Sequence, residues 1–158
     1  MHARLDYSKA HPASFRAMLD LQGHVNDSGL EKALMELVKI RASQINGCAF
    51  CLDMHTRDAR LHGEREHRLH LLPAWREAPV YSARERAALA WTEALTLVHA
   101  TQVPDEVYEQ ARAQFSEEEL VKLSLAIVAI NGWNRLCVGF RTQPALRPFP
   151  ADGVTQPS

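Results

Sequence analysis

The chain has 158 residues, of which 46% are hydrophobic and 23% are charged, a composition typical of one globular domain. Its net charge is −1 and both signs are interspersed, so the sequence offers no basic surface for nucleic acid or anionic lipid. The first residues lack the apolar core of a signal peptide, and the longest apolar run, residues 123–130, is far shorter than a membrane span. We therefore expect a cytoplasmic protein that binds neither nucleic acid nor membrane.

Several stretches of the chain carry apolar residues at helical spacing, and none of useful length alternates as a strand does. Breaks that contain Gly, Pro or Asn separate these stretches. The predicted fold is therefore an all-α helical bundle in a single domain. The predicted helices cover residues 12–25, 30–45, 48–63, 84–99, 104–115 and 119–140.

Three of the predicted helices begin with a capping box, a serine followed three residues later by a glutamate. The two side chains can bond backbone amides that have no partner at a helix start. The pairs are Ser28 with Glu31, Ser82 with Glu85, and Ser116 with Glu119.

The chain divides into three predicted parts. Residues 1–10 are expected to be a lead that is poorly ordered or draped over a partner. Residues 11–141 are expected to form the helical domain. Residues 142–158 contain several prolines and are expected to form an extended C-terminal tail.

Two of the three cysteines are only three residues apart, a spacing that in a reducing cytoplasm is more often catalytic or metal-binding than structural. At about 100° per residue, Cys48, Cys51 and His55 lie within about 60° of each other on one helix face. The helix that begins near Cys48 favours a thiolate at its N-terminus. His55 can exchange a proton near neutral pH. We interpret this stretch as a redox-active dithiol site.

Glu36 lies twelve residues before the first cysteine, on the preceding predicted helix. Asn46 and Gly47 tolerate the left-handed conformation that ends a helix, so they predict a bend between two roughly antiparallel helices. The Glu36 carboxylate can then meet the face that carries the cysteines. Because Glu36 lies on a partly apolar face, in line with Ile40 rather than with Lys39, it is a candidate for a raised pKa and for acid–base work.

The same side chains leave a metal site open as an alternative. Cys48, Cys51 and His55 supply three zinc ligands, whereas a closed structural zinc site takes four. Glu36 or His99 could serve as the fourth ligand only through the fold. The alternative function is a zinc-binding or redox-sensing interaction module; the favoured dithiol chemistry needs no metal and no organic cofactor.

The last predicted helix contains further polar and sulfur-bearing residues. Cys137 has apolar neighbours in the sequence and is interpreted as a small core residue. Asn131, Trp133, Asn134 and Arg135 follow an apolar run, so an arginine there needs a partner. Structural hydrogen bonding is the favoured interpretation for these four residues, and lining a pocket or pinning the tail is the alternative.

The spacing Glu36-x11-Cys48-x2-Cys51-x3-His55 resembles the pattern of the alkylhydroperoxidase D (AhpD) branch of the carboxymuconolactone decarboxylase superfamily. The resemblance extends over residues 31–141. It implies an all-helical, AhpD-like fold and a homo-oligomer, a trimer or a hexamer, assembled around the helices that carry the site. The decarboxylase branch works without this cysteine pair, so the resemblance argues against decarboxylation of a muconolactone.

The resemblance also implies an activity, that of an antioxidant oxidoreductase that reduces alkyl hydroperoxides through thiols. Cys51 resembles the peroxidatic cysteine, which becomes a sulfenic acid, and Cys48 resembles the resolving cysteine, which condenses with it to a disulfide. Glu36 and His55 resemble the proton relay. The helix-terminus argument alone would favour Cys48 as the more acidic thiol, whereas closeness to His55 favours Cys51.

The implied cycle needs a reductant for the disulfide, which could be a small thiol, a thioredoxin-type protein or a dihydrolipoyl partner. A disulfide reductase with little peroxidase turnover is a further alternative. The chain departs from well-studied members at Phe50, where they carry a second histidine. A phenyl ring carries no protons, so this residue predicts weaker turnover, a pocket for a more apolar hydroperoxide, or packing.

Overall fold

The computed structural model describes residues 2–145, which form nine α-helices and one 3₁₀ turn and contain no strand. The predicted all-α fold is confirmed for these residues. The predicted tail, residues 142–158, lies for the most part outside them. The helices are α1 (Tyr7–Ala10), α2 (Pro12–Asn26), α3 (Lys32–Asn46), α4 (Ala49–Leu61), α5 (Glu66–Leu71), α6 (Ala83–Thr96), α7 (Val98–Thr101), α8 (Asp105–Arg112) and α9 (Glu117–Phe140), and the 3₁₀ turn is Leu72–Ala74.

Helix α3 lies at the centre of the bundle and packs against α4, α6 and α9. Val38 belongs to a buried cluster with Leu123 and Ile127 of α9. Leu37, on the neighbouring position of α3, belongs to a second cluster with Leu89 of α6. Each such side chain contributes about 1.5–3 kcal/mol by leaving water. Two buried clusters therefore pack against α3. Because they hold the helix in place, they also fix the positions of the polar side chains on its remaining face.

The capping boxes predicted at Ser82 and Ser116 are confirmed, with both reciprocal hydrogen bonds present in each. The box predicted at Ser28 is wrong. Glu31 is itself the N-cap of α3, and no side chain caps that helix. The Glu31 carboxylate is bound instead by the guanidinium of Arg84 at 2.8 Å. Arg84 donates to both carboxylate oxygens, at 2.8 Å and 3.3 Å, and such a two-point contact with a cation is stronger than one bond to a backbone amide.

The predicted bend between α3 and α4 is confirmed and is tied to α9. Gly47 has a φ of 65° and a ψ of 35° and ends α3 in the left-handed conformation. The Asn46 side-chain amide donates to the side-chain oxygens of Asn131 and Asn134, both at 2.9 Å. Arg135 in turn donates to the carbonyl and side-chain oxygens of Asn131. The structural interpretation is thereby confirmed for Asn131, Asn134 and Arg135, whereas Trp133 lines a cavity, which was the alternative.

The N-terminal segment differs from the poorly ordered or partner-draped lead that the sequence predicted. The backbone amide of Arg4 donates to the Phe140 carbonyl at 2.9 Å, and its guanidinium donates to the Gly139 carbonyl at 3.0 Å. These acceptors belong to the last turn of α9, where carbonyls have no partner within the helix. The Tyr7 ring packs at 5.5 Å from that of Phe140. The segment therefore docks on the end of α9 of its own chain.

Helix α9 has one side buried in the bundle and one side exposed. It packs against α2, α3, α4 and α6, as expected of the most apolar helix. On its outer side, Val121 and Val128 are 70% and 57% exposed. By length and mean hydropathy, which is 1.3 over 18 residues, α9 could cross a membrane, and a buried core helix meets the same criteria.

Candidate active site

The CxxC pair lies at the start of α4. Cys48 is the N-cap residue of that helix, and Cys51 belongs to its first turn. Both thiols are buried, with 2% and 1% of the residue exposed. His55 follows Cys51 by one helical turn and is also buried. The structure thus places the three residues on one part of α4, as their spacing predicts.

Glu36 of α3 meets His55 of α4 across the bend. The Oε2 atom of Glu36 lies 2.8 Å from Nδ1 of His55, and the Oε1 atom accepts a hydrogen bond of 2.8 Å from Lys39. All three side chains are about a tenth exposed. The contact that the bend predicts is therefore present. The sequence placed Lys39 off the face of Glu36, which is wrong, because residues three apart are neighbours on a helix and Lys39 bonds to the carboxylate.

The pKa of Glu36 is lowered, whereas its partly apolar face predicted a raised one. Burial alone raises the pKa of this carboxyl. The hydrogen bond and charge of His55, together with Lys39, lower it by more than burial raises it, so the net pKa is below the usual range. Glu36 is therefore a carboxylate that accepts the Nδ1 proton of His55. This bond fixes the tautomer of the ring and leaves Nε2 as the nitrogen that can exchange a proton.

A third sulfur joins the CxxC pair. Cys137 of α9 is buried, as the sequence predicted, but its sulfur and those of Cys48 and Cys51 all lie within 4.8 Å of one another. All three are free thiols. Cys137 is thus a member of the site rather than only a core residue. Local spacing could not reveal it, because Cys137 comes 86 positions after Cys51.

Hydrogen bonds among the three thiols shift their pKa values in opposite directions. The pKa of Cys137 is lowered to about 3 because the thiols of Cys48 and Cys51 hydrogen-bond to it. The pKa values of Cys48 and Cys51 are both raised, chiefly by their hydrogen bonds to Cys137. Cys137 is therefore the most acidic of the three thiols, whereas the sequence favoured a thiolate at the start of α4.

A cavity of about 770 Å³ adjoins the site. Cys51, His55, Glu36 and Cys137 line it, whereas Cys48 lies behind them and does not. The opposite wall comes from the N-terminal segment and α2. Its further apolar lining includes Phe15, Leu19, Met54 and Trp133. The cavity therefore combines acid–base and sulfur groups with walls suited to an apolar molecule.

Phe50 has two of the roles that the sequence left open. It is half-buried and packs against the cluster that contains Cys48, Cys51 and Cys137. It also lines the cavity. The residue thus adds apolar surface next to the sulfurs.

Within residues 2–145, two groups of side chains have ligand atoms close enough to hold a metal ion. One consists of the three cysteines, and the other of Glu36, His55 and Asp58. His55 therefore groups with carboxylates, not with Cys48 and Cys51 as the zinc alternative proposed. Each group offers three ligands, whereas a structural zinc site takes four; three thiolates suit a soft ion such as Cu(I).

Known proteins resemble this chain over nearly its whole length. It is 43% identical over 145 residues to the uncharacterized protein YdfG of Bacillus subtilis (strain 168), which covers 92% of this chain and 99% of YdfG. The crystal structure of ATU0492 from Agrobacterium tumefaciens has 48% identity and a TM-score of 0.91, and covers 92% of this chain and 100% of that one. ATU0492 is described as a protein of unknown function and a candidate antioxidant defence protein AhpD.

A more distant structure shares the fold alone. The uncharacterized peroxidase-related protein from Silicibacter sp. TM1040 has 21% identity and a TM-score of 0.76, over 86% of this chain and 72% of that one. The sequence profile of the carboxymuconolactone decarboxylase family matches residues 12–94, more than half of the chain. With these matches and with ATU0492 aligned along its full length, the chain belongs to the carboxymuconolactone decarboxylase family as an AhpD-like member.

Proposed function

We propose that the chain is an alkyl hydroperoxide reductase that uses Cys51 and Cys48 as its redox couple. The observation that carries the proposal is the 2.8 Å hydrogen bond between His55 and Glu36, on the wall of a cavity that Cys51 also lines. It orients a proton carrier one helical turn from a thiol, where a small substrate fits. The description of ATU0492 as a candidate antioxidant defence protein adds support.

In the first half-reaction, Cys51 is the peroxidatic cysteine. Nε2 of His55 takes its proton, and the thiolate attacks the terminal oxygen of a hydroperoxide ROOH. A sulfur–oxygen bond forms, the oxygen–oxygen bond breaks, and the sulfur is oxidised by two electrons to a sulfenic acid. The proton on His55 passes to the leaving alkoxide to give the alcohol ROH. Glu36 stays ionised and stabilises the imidazolium between the two transfers.

In the second half-reaction, Cys48 is the resolving cysteine. Its thiol condenses with the Cys51 sulfenic acid, so that a disulfide forms and water leaves. Two thiol groups of a reductant then return both cysteines to thiols and themselves become a disulfide. The reductant is a small thiol, a thioredoxin-type protein or a dihydrolipoyl partner.

The walls of the cavity favour an organic hydroperoxide over hydrogen peroxide. Each methylene group buried against Phe15, Leu19 or Met54 contributes about 0.8 kcal/mol to binding. We expect kcat/KM to rise from hydrogen peroxide to cumene hydroperoxide. Equal values for the two peroxides would contradict this assignment of the substrate.

The test of the proposal is the rate at which the purified chain consumes cumene hydroperoxide with dithiothreitol as the reductant. Cys51→Ser should reduce that rate to the background without protein. A wild-type rate no higher than that of Cys51→Ser would contradict the proposal. Stoichiometric zinc in the reduced protein, with negligible consumption, would support the interaction module instead. Reduction of a disulfide substrate without hydroperoxide consumption would support the disulfide reductase.

The proposed enzyme is a cytoplasmic homo-oligomer, a trimer or a hexamer. A reducing cytoplasm supplies the thiols that the cycle needs. The exposed outer valines of α9, Val121 and Val128, support the assembly, because apolar side chains on one helix face are typical of contacts between subunits. Light scattering after gel filtration should give a multiple of the 17.8 kDa chain mass, which Val128→Glu should lower. A monomeric mass for the wild type would contradict the assembly.

A further inference from the structure

The position of Cys137 gives the site a third sulfur that the CxxC couple does not need. Its sulfur lies within 4.8 Å of both other sulfurs, although it belongs to α9 and they belong to the start of α4. Cys51 and Cys137 line the cavity, and Cys48 does not. The two sulfurs that a molecule in the cavity meets are therefore those of Cys51 and Cys137.

The surroundings of Cys137 are those of a reactive thiol. A cysteine in a purely apolar core is expected to have a raised pKa and to be inert. Cys137 instead has hydrogen-bonding partners, the thiols of Cys48 and Cys51 and the hydroxyl of Tyr7, whose oxygen lies 3.7 Å from its sulfur. These partners lower the pKa of Cys137 and favour the thiolate, which is the form that attacks oxidised sulfur.

We infer that Cys137 is a third redox-active cysteine, which closes a disulfide with Cys51 at the cavity wall in place of Cys48. The inference rests on the proposed function for its physiological oxidant, the hydroperoxide that converts Cys51 to a sulfenic acid. The Cys137 thiolate attacks that sulfur, a sulfur–sulfur bond forms, and the hydroxide that leaves takes up a proton to become water. Cys48 remains a thiol.

The same disulfide also forms by exchange. When Cys48 and Cys51 are already joined, the Cys137 thiolate attacks the Cys51 sulfur, and Cys48 leaves as a thiolate. No electrons are gained or lost, because one disulfide replaces another. The exchange moves the disulfide from the buried Cys48 to the cavity wall, where a thiol reductant in the cavity can reach both sulfurs. Cys137 thus links the buried couple to its reductant.

The test uses Cys48→Ser, in which only Cys51 and Cys137 remain, treated with diamide, which oxidises thiol pairs without a hydroperoxide. Trypsin releases Cys51 in residues 42–57 and Cys137 in residues 136–141, so their disulfide joins two peptides. We expect both thiols to be lost together and the joined peptides to dominate the mass spectrum. Retention of both thiols, or no joined peptides in the folded variant, would overturn the inference.

The matched control is Cys48→Ser with Cys137→Ser, in which Cys51 has no partner and no joined peptides can form. Circular dichroism checks that each variant is folded. Should Cys48→Ser not fold, the wild type is oxidised by diamide and digested in the same way. Joined peptides with a free Cys48 support the inference, and a disulfide confined to residues 42–57 overturns it.

A second arm separates this inference from the proposed function. One equivalent of cumene hydroperoxide replaces diamide in the treatment of Cys48→Ser. Joined peptides with diamide but no reaction with the hydroperoxide would support the redox role of Cys137 and contradict the hydroperoxide reductase. A sulfenic acid that persists at Cys51 beside a free Cys137 would show peroxidase chemistry and contradict the redox role of Cys137.

Discussion

Glu36 and Glu93 form two carboxylate clusters of similar burial in different parts of the bundle. Their side chains are 10% and 13% exposed. Burial raises the pKa of each, and hydrogen-bonding partners lower it below the usual range. Glu93 accepts from Trp75 at 2.7 Å and Arg41 at 2.8 Å, and pairs with Arg76 at 2.5 Å. By burial and charge state alone, the two carboxylates are equivalent.

The partners distinguish them. Glu93 is bound by guanidinium and indole groups, which do not give up a proton in the physiological range. Glu36 is bound by His55, whose imidazole has a second nitrogen that can accept or donate a proton, and both residues line the cavity with Cys51. A buried carboxylate with a lowered pKa is therefore a catalytic candidate only when its partner can release the proton that the carboxylate orients. The following predictions test whether Glu36 serves the reaction and Glu93 serves the fold.

The largest expected effect is that of His55→Gln. Glutamine can still hydrogen-bond to Glu36 but cannot carry a proton. Because general acid–base catalysis contributes roughly 10²- to 10⁴-fold, we expect kcat/KM for cumene hydroperoxide to fall by about that factor. A kcat/KM for the variant within about threefold of the wild-type value would show that His55 is not part of the proton relay.

Glu36→Gln should have the next largest effect on the reaction. The amide keeps the shape of the side chain but loses the charge that fixes the His55 tautomer and stabilises the imidazolium. Removing such a supporting group typically costs about 10- to 100-fold in activity. The matched control is Glu93→Gln, whose hydroperoxide rate should stay within about twofold of the wild type. An equal loss of rate in both variants would show that Glu36 and Glu93 do not differ in their contribution to the reaction.

Glu93→Gln should instead lower the free energy of unfolding. Its charged hydrogen bonds to Arg41 and Trp75 weaken, while Arg76, which is 60% exposed, contributes less because solvent screens it. We expect a loss of about 1–2 kcal/mol, measured by urea denaturation followed by circular dichroism. An unchanged unfolding midpoint would show that this cluster is not what stabilises the contact between α3 and α6.

The smallest expected effect is on the acid dependence of stability. The pKa of Glu93 is lower in the folded chain than its usual value, so the folded state binds this proton less readily than the unfolded state. Its contribution is complete above the usual pKa and is lost as pH falls through the lowered folded-state pKa. Between about pH 5 and pH 3, the stability of Glu93→Gln should therefore fall less steeply than that of the wild type. Parallel curves would contradict this.

The features of the site that the sequence could predict are those made by neighbouring residues. The bend at Gly47 and the placement of Cys48, Cys51 and His55 at the start of α4 follow from short spacings and from the helix end between them. The meeting of Glu36 with α4 needed only that one bend. The catalytic roles of these residues stay predictions until the variants are measured.

The remaining features depend on contacts between distant parts of the chain. Cys137 joins the other sulfurs only because α9 packs beside α3 and α4, which no local spacing encodes. The lowered pKa of Glu36 depends on the direction in which His55 and Lys39 point in the packed bundle. The capping box at Ser28 failed for a similar reason, since Arg84 from another helix binds Glu31. In each of these cases, contacts that form only in the packed bundle determined the outcome.

The three tryptophans of the chain are distributed in a way that makes one of them a built-in optical reporter. Trp75 and Trp91 are buried in the clusters around α6, whereas Trp133 lines the cavity and donates to Gln22 at 3.1 Å. A molecule that enters the cavity changes the polarity around this indole and not around the other two. Difference emission spectra should therefore follow occupancy of the cavity in unlabelled protein.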